Sequence, residues 1–350
     1  MSSVASVSAQ PLRGEGAPRV IVAGATGFAG ALAAHLLWRH PGFELVAITA
    51  RSERGRRLED LYPRYRVPLE LAELDLERLG ELDAAIVAYP HAAAAPTVAA
   101  LRERGARVID LSADFRLASL SRYEQWYGAH PRPELLAEAV YGLTELHRDA
   151  IAGATLVANP GCYPTASLLA LAPLARAGLL ADVVIDAKQG ISGAGRAFDE
   201  TTHLSMAGEN IVPYKVAAHR HTPEIEEQLA LLHPAAASLK VQFQAHLVPL
   251  DQGELASCYV TPTRPVAADE LGELFADAYE EEPFVEVLDA PPGVREVRET
   301  NFCRIHAAAD GHTGKILVFS AIDNLWKGTS SQAVQNLNLM FGLPETDGLS

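Results

Sequence analysis

Cysteine is scarce in this 350-residue chain, with Cys162, Cys258 and Cys303 the only three. An odd, widely spaced set builds neither a disulfide framework nor a cysteine-rich zinc module, and it suits a reducing compartment. Basic residues are also short, 29 against 44 acidic ones, which leaves a formal net charge of −15. No background positive field is available to hold a polyanion, so nucleic acid is excluded as a non-specific partner. Long apolar runs are missing as well. The run Thr165–Ala175 is interrupted by Pro173 and falls short of the ~20 residues that cross a bilayer, so no membrane partner is expected. Residues 1–18 lack the basic head and apolar centre of a secretory signal. They read as a flexible tail on a soluble, cytoplasmic protein.

What is present is a globular composition, 49% hydrophobic and 21% charged, at a length that predicts two packed units. From Arg19, short β-rich runs alternate with helical ones: Arg19–Ala23, Phe28–Arg39, Glu44–Ala50, Ala84–Ala88, Thr97–Arg104 and Arg107–Leu111. That alternation predicts a doubly wound parallel sheet of the Rossmann type. The runs Val20–Ala23 and Ala85–Ala88 are apolar throughout, as strands buried on both faces should be. Beyond Asn159 the texture changes, and Lys240–Leu247 alternates polar and apolar residues at period two. With further strands expected at Val183–Ala187, Ala256–Thr261, Asn301–His306 and Ile316–Ile322, the second half reads as an α+β domain on a mostly antiparallel sheet. A last helix is expected from Thr329 or Ser330 to Gly342, ahead of Pro344.

Three glycines, Gly24, Gly27 and Gly30, follow the first strand and open the first helix. In that position they form a phosphate-binding turn, because the backbone approaches closely and the helix start supplies N–H donors. Arg51 and Ser52 stand where NAD-specific folds carry a carboxylate, Arg51 being 21 residues after Gly30. A guanidinium and a hydroxyl there favour a 2′-phosphate, which predicts NADP(H). Cys162, in Asn159-Pro160-Gly161-Cys162-Tyr163-Pro164-Thr165, sits at a helix start, where the dipole favours thiolate and hence a nucleophile. A thiolate needs a proton partner, and His219 and His221 both stand just ahead of another helix, with Thr222 read as its cap. No carboxylate or second cysteine stands at ligand spacing for zinc, so no metal is expected. Cys258 and Cys303 fall mid-strand and read as inert. Arg116 and Arg196 are two candidate clamps for a carboxylate or phosphate.

Six ordered motifs carry a family resemblance: GATGFAG at 24–30, SADFR at 112–116, NPGCYPT at 159–165, SGAGR at 192–196, HRHTPE at 219–224 and DNLWKG at 323–328. From Arg19 to its end the sequence resembles the N-acetyl-gamma-glutamyl-phosphate reductases, relatives of aspartate-semialdehyde dehydrogenase. The resemblance implies NADPH-dependent reduction of an acyl phosphate to an aldehyde in arginine biosynthesis, with Cys162 as nucleophile and His219 as acid/base. It implies a Rossmann domain over 19–158 with 323–350 returning to it, and a catalytic and dimerisation domain over 159–322. It places the cofactor on Gly24, Thr26, Gly27, Phe28, Gly30, Arg51, Ser52, Ser192, Gly193 and Asn324, and the substrate on Arg116, Asn159, Tyr214, Arg220 and Glu224. The implied partners are a small acyl-phosphate substrate and inorganic phosphate, and the implied assembly is a homodimer or homotetramer. A carrier-protein-linked aminoadipyl phosphate reductase, a cysteine hydrolase sharing the NPGCYPT elbow and a non-catalytic NADP-binding sensor are the competing readings. Trp326 departs from the family pattern, where a smaller aliphatic residue is expected.

Overall fold

The computed structural model describes residues 16–197 and 199–349, so residues 1–15 of the expected tail lie outside the described ones. Two compact units divide the chain. The first holds the chain through Ala118, then His130–Asn159 and the segment from Ser330; the second holds Ser119–Ala129 and Pro160–Thr329. This division departs from the expected boundaries in three places, the smallest being Asn159, which stays with the first unit. Ser119–Ala129 belongs with the second unit because Tyr127 donates its hydroxyl to the Arg220 carbonyl at 3.3 Å and the Arg220 guanidinium lies 5.2 Å from the Tyr127 ring centre. The second unit also runs on past 322 to Thr329, through a turn in which the Asp323 carboxylate accepts the N–H groups of Leu325 and Trp326.

The first unit is built on seven strands: β1 Arg19–Ala23, β2 Glu44–Thr49, β3 Leu71–Ala72, β4 Ala84–Val87, β5 Arg107–Asp110, β6 Val140–Tyr141 and β7 Leu156–Ala158. Their order is β3-β2-β1-β4-β5-β7-β6, and every neighbouring pair is parallel. Alternate residues of β1 explain its unbroken apolar run. Ile21 and Ala23 join Ala85, Val87 and Val98 in one core, while the helices Phe28–Arg39 and Ser331–Met340 pack together elsewhere in the unit. The chain order reverses between β1 and β4, which places a ligand crevice at the carboxyl ends of those strands. β3 and β6, two residues each, are too short to show a period in sequence.

The second unit carries β8 Leu180–Gly190, β9 Val212–Tyr214, β10 Val241–Val248, β11 Glu254–Pro262, β12 Val285–Val287, β13 Cys303–Ala309 and β14 Ile316–Ile322, in the order β12-β13-β14-β11-β8-β10-β9. Only β12–β13 and β8–β10 are parallel, so the sheet is mostly antiparallel, as its alternation predicts. Val241, Phe243, Ala245 and Leu247 are buried, and the residues between them are not. The helices Cys162–Arg176, Thr222–Leu232 and Ala268–Tyr279 pack on this sheet.

Local signals shift by a residue or a turn. Thr222 is the first helical residue rather than the cap, with His221 in the cap position. The last helix begins at Ser331 after a π-turn over Trp326–Ser330; Ser330 caps nothing and donates its hydroxyl to the Ala29 carbonyl at 2.8 Å. Cys303 opens its strand instead of lying within it. Among the described residues no helix is long and apolar enough to cross a membrane.

Candidate active site

The glycine turn of the first unit is shaped by backbone crowding. Gly24 has φ +96°, and a Cβ added there would lie 2.5 Å from the Ala88 carbonyl oxygen. At Gly30 it would lie 2.3 Å from the Gly24 carbonyl oxygen, so the helix start needs glycine to sit on the strand end. Gly27 is different. It caps the helix Phe28–Arg39 with no side chain of its own to accept the N–H groups there, and among the described residues its Cβ would meet only the Gly24 oxygen, at 4.0 Å. Among the described residues no atom crowds position 27, and open space before a helix start is what a pyrophosphate requires. Thr26 and Phe28 are held by Tyr62, whose hydroxyl donates to the Thr26 carbonyl at 2.9 Å and whose ring meets Phe28 edge-on.

After β2, Arg51 lies over the Tyr89 ring at 5.2 Å. Arg51, Arg54, Glu73, Tyr89 and Thr97 line a pocket of about 380 Å³, with Arg54 paired to Glu73 at 2.6 Å. Ser52 beside it is exposed. Arg116 and Asn159 come together at the ends of β5 and β7. The buried Arg116 guanidinium donates from Nε to the Asn159 carbonyl and from Nη2 to that of Leu111, both at 2.8 Å. The Asn159 side chain accepts from Asn336 on the last helix at 3.2 Å. Both residues thus fasten the first unit internally.

Cys162 is the first residue of the helix Cys162–Arg176, and the preceding Gly161 N–H donates to the Glu224 carboxylate at 2.9 Å. Helix position alone predicts a thiolate. Against that dipole, burial and then the neighbouring Glu254 carboxyl push the Cys162 thiol up, although Gln189 and the Tyr163 N–H pull the other way. The Gln189 amide nitrogen lies 2.8 Å from the sulfur and 3.0 Å from Glu254 Oε2. Glu254 is itself fully buried and pushed up to about 8 by that burial, with Asp323 adding to the rise. Sequence reading misses both Gln189 and Glu254. Each is a polar residue at the end of an apolar strand, and only the register that pairs them across β8 and β11 reveals them.

The loop after β8 closes over Gln189. Gly193 lies against its amide, where a Cβ would come within 2.3 Å. Ser192 donates to the Asp251 carbonyl at 2.6 Å and accepts from Asn324 at 3.1 Å, and Asn324 accepts the Gly253 N–H at 2.8 Å. Ser192 and Asn324 are therefore brought together, while Arg196 ends the loop exposed. His219 is buried against Tyr163, Tyr214 and Phe243, with ring centres 5.5, 5.5 and 4.9 Å away. Its Nδ1 accepts the His221 N–H at 3.2 Å, which leaves the proton of the neutral ring on Nε2. Burial, then the charges of Lys215 and Arg220, pull its pKa down to about 3. Tyr214 donates to the Tyr163 hydroxyl at 3.1 Å. Tyr163, next to Cys162 in the chain, is thus shared by the cysteine and histidine sides of the site.

Cys258, pushed up to about 12 by burial, and Cys303, against Ser320, are enclosed in the sheet. Among the described residues no three His, Cys, Asp or Glu side chains gather as a metal ion needs.

A parallel nucleotide-binding sheet joined to a mixed sheet that carries a helix-start cysteine defines a protein of the semialdehyde dehydrogenase class. Residues 19–154 match the family described as semialdehyde dehydrogenase, NAD binding domain, and residues 162–324 that described as semialdehyde dehydrogenase, dimerisation domain. Aspartate semialdehyde dehydrogenase II from Vibrio cholerae, complexed with ASA, shares the fold at TM-score 0.71 and 19% identity, over 93% of this chain and 98% of that one. The Candida albicans enzyme, solved with NADP, does so at TM-score 0.69 and 16% identity, over 93% and 98%. In sequence, the chain is 50% identical over 341 residues to the N-acetyl-gamma-glutamyl-phosphate reductase of Desulforudis audaxviator, covering 95% of this chain and 97% of that protein. It is 47% identical to the reductase of the same name from Moorella thermoacetica, covering 94% and 96%. The chain belongs to the N-acetyl-gamma-glutamyl-phosphate reductase family.

Proposed function

We propose that this protein catalyses the NADPH-dependent reductive dephosphorylation of N-acetyl-L-glutamyl 5-phosphate to N-acetyl-L-glutamate 5-semialdehyde, a step of arginine biosynthesis. The observation that carries it is Cys162, the opening residue of a helix with a side-chain amide on its sulfur, in a chain half identical to a reductase of that name. Relatives of that name do not favour the carrier-linked alternative, and the NAD-binding domain leaves a plain hydrolase without a use for half the chain.

Cys162 Sγ forms a bond to the acyl carbon, the carbon–oxygen bond to phosphate breaks, and hydrogen phosphate departs with its proton from solvent. Once the sulfur is bonded to carbon, the Gln189 N–H that now faces it and the backbone N–H of the helix start are the donors assigned to the acyl oxygen as it gains charge, work worth ~3 kcal/mol for one well-placed donor. His219, whose Nδ1 accepts the His221 N–H, is assigned the acid/base role that the family resemblance implies. NADPH, when bound, supplies the hydride that reduces the thioester. The first unit is assigned to that cofactor: the Gly27 opening for its pyrophosphate and the Arg51–Arg54 pocket for its adenosine 2′-phosphate. The second unit is assigned to acyl transfer and to assembly as a homodimer or homotetramer.

Purified protein is expected to reduce NADP in a phosphate-dependent reaction with N-acetylglutamate 5-semialdehyde and not with aspartate semialdehyde. Activity with neither aldehyde, alongside normal NADP binding, would point to a sensor. Arg51→Ala is expected to raise the KM for NADP about 10-fold or more and leave that for NAD unchanged, since a guanidinium is the element that distinguishes the two. A wild-type preference for NAD would overturn the cofactor assignment.

A further inference from the structure

We propose that Asp114 is a positioning residue that sets the preference for NADP over NAD, by holding Tyr89, and through it Arg51, at the cofactor pocket. This rests on the reading of that pocket as the site of the 2′-phosphate.

Tyr89 and Thr97 both line the pocket that holds Arg51, and the Tyr89 ring lies under the Arg51 guanidinium. Between Tyr89 and Thr97 the chain leaves β4, turns through Pro90-His91-Ala92-Ala93 and enters the helix Ala95–Glu103. A turn hydrogen bond closes this link, from the Ala93 N–H to the Pro90 carbonyl at 3.1 Å. Two features work against it. Ala92 is exposed and stands at φ +64°, in the left-handed region that an alanine adopts only at a cost. Ala94, in the cap position, has no side-chain acceptor for the helix start.

Asp114 supplies what the link lacks. Its buried carboxylate accepts the Ala92 N–H on Oδ1 at 2.6 Å and the Ala95 N–H on Oδ2 at 2.9 Å, so one group pins the strained residue and the first helical residue together. The carboxylate is held in turn. The Asp114 N–H donates to Ser112 Oγ at 3.0 Å, Ser112 Oγ donates to Asp110 at 2.6 Å, and His130 Nε2 donates to the Asp114 carbonyl at 2.6 Å. Hydrogen bonds to an ionised acceptor are about twice as strong as those between neutral groups, which suits this pair to holding a conformation that alanine disfavours. Released from Asp114, Ala92 returns to ordinary backbone, and Tyr89, three residues earlier, leaves its place under Arg51. A displaced Arg51 costs NADP, which carries the 2′-phosphate, more than NAD, which does not. A carboxylate that merely capped the helix would lower stability when lost and leave the ratio of the two cofactors unchanged.

The test compares wild type with Asp114→Asn, Ala92→Val and the double variant Asp114→Asn/Ala92→Gly. Tm is measured by circular dichroism, and kcat/KM for NADP and for NAD in the phosphate-dependent oxidation of N-acetylglutamate 5-semialdehyde, at a temperature below every Tm. Asparagine keeps the size of aspartate but turns an amide N–H toward one of the two donors, so the NADP-to-NAD ratio of kcat/KM is expected to fall at least ~10-fold, with kcat at saturating NADP little changed. Ala92→Val alters an exposed side chain only, and a β-branched residue resists positive φ; the ratio should fall at least ~3-fold with Asp114 intact. This variant carries the test should Asp114→Asn fail to fold. In the double variant the glycine adopts φ +64° without strain and should recover about threefold or more of the lost ratio. A ratio within twofold of wild type in both Asp114→Asn and Ala92→Val, even with a lowered Tm, would overturn the proposal. So would an equal loss for the two cofactors, or a double variant that recovers nothing. A wild-type protein that prefers NAD would instead sink the pocket assignment beneath it, a separate failure.

Discussion

Cys162→Ser is expected to lose at least ~10³-fold in kcat while keeping its fold and its affinity for NADP. Serine preserves the size of the side chain and its position at the helix start, and it can accept the same Gln189 amide that now lies 2.8 Å from the sulfur. What it cannot supply is an oxygen that ionises readily enough to attack the acyl carbon, since an alcohol is a far weaker acid than a thiol. Steady-state kinetics beside thermal unfolding and NADP titration would check all three parts. Turnover within tenfold of wild type would show that the thioester route is wrong. Loss of NADP binding would show that the substitution disturbs more than the nucleophile.

Gly30→Ala and Gly27→Ala are expected to fail for different reasons, and the contrast separates folding from binding. At Gly30 the new methyl would stand 2.3 Å from the Gly24 oxygen, 2.9 Å from the Gly24 carbonyl carbon and 3.0 Å from the Ala25 Cα. All three are backbone atoms, with no flexible side chain to give way. Strand β1 and the helix after it must separate, at a cost of several kcal/mol, so a drop in Tm of many degrees or outright failure to fold is expected. At Gly27 the methyl meets no protein atom closer than 4.0 Å, and the backbone is extended at φ −78°, which alanine adopts freely. There the Tm should fall by no more than a few degrees, while the affinity for NADP drops at least about tenfold because the methyl fills the space assigned to the pyrophosphate. A Gly27→Ala protein that binds NADP normally would remove the phosphates from this turn.

The limits of sequence reading are visible in the same residues. Strand β1 and the helix Phe28–Arg39 are bounded in the structure where their apolar runs and flanking glycines bound them. Their signals are local: an apolar run buried on both faces, then a glycine turn with no alternative conformation. The helix starts at Cys162 and Thr222 are legible for the same reason, to within a residue. The ionisation of Cys162 is not. A helix dipole is visible in sequence and favours thiolate, but it is opposed by burial of the sulfur and then by the Glu254 carboxyl, 92 positions away in the chain.

Chain-local physics therefore determined the parallel nucleotide-binding sheet, the phosphate turn and the positions of Cys162 and His219, because period, glycine placement and helix starts act over a few residues. Tertiary structure alone decided what those residues meet. It set the pairing of Glu254 with Gln189 across β8 and β11, the neutral Nε2–H form of His219 and the gathering of Ser192 and Asn324 over the Gln189 loop. It also turned Arg116 and Asn159 onto the frame of their own unit. Each of these depends on register, burial and long-range hydrogen bonds, and a pKa responds to those surroundings far more than to the neighbouring letters of the chain.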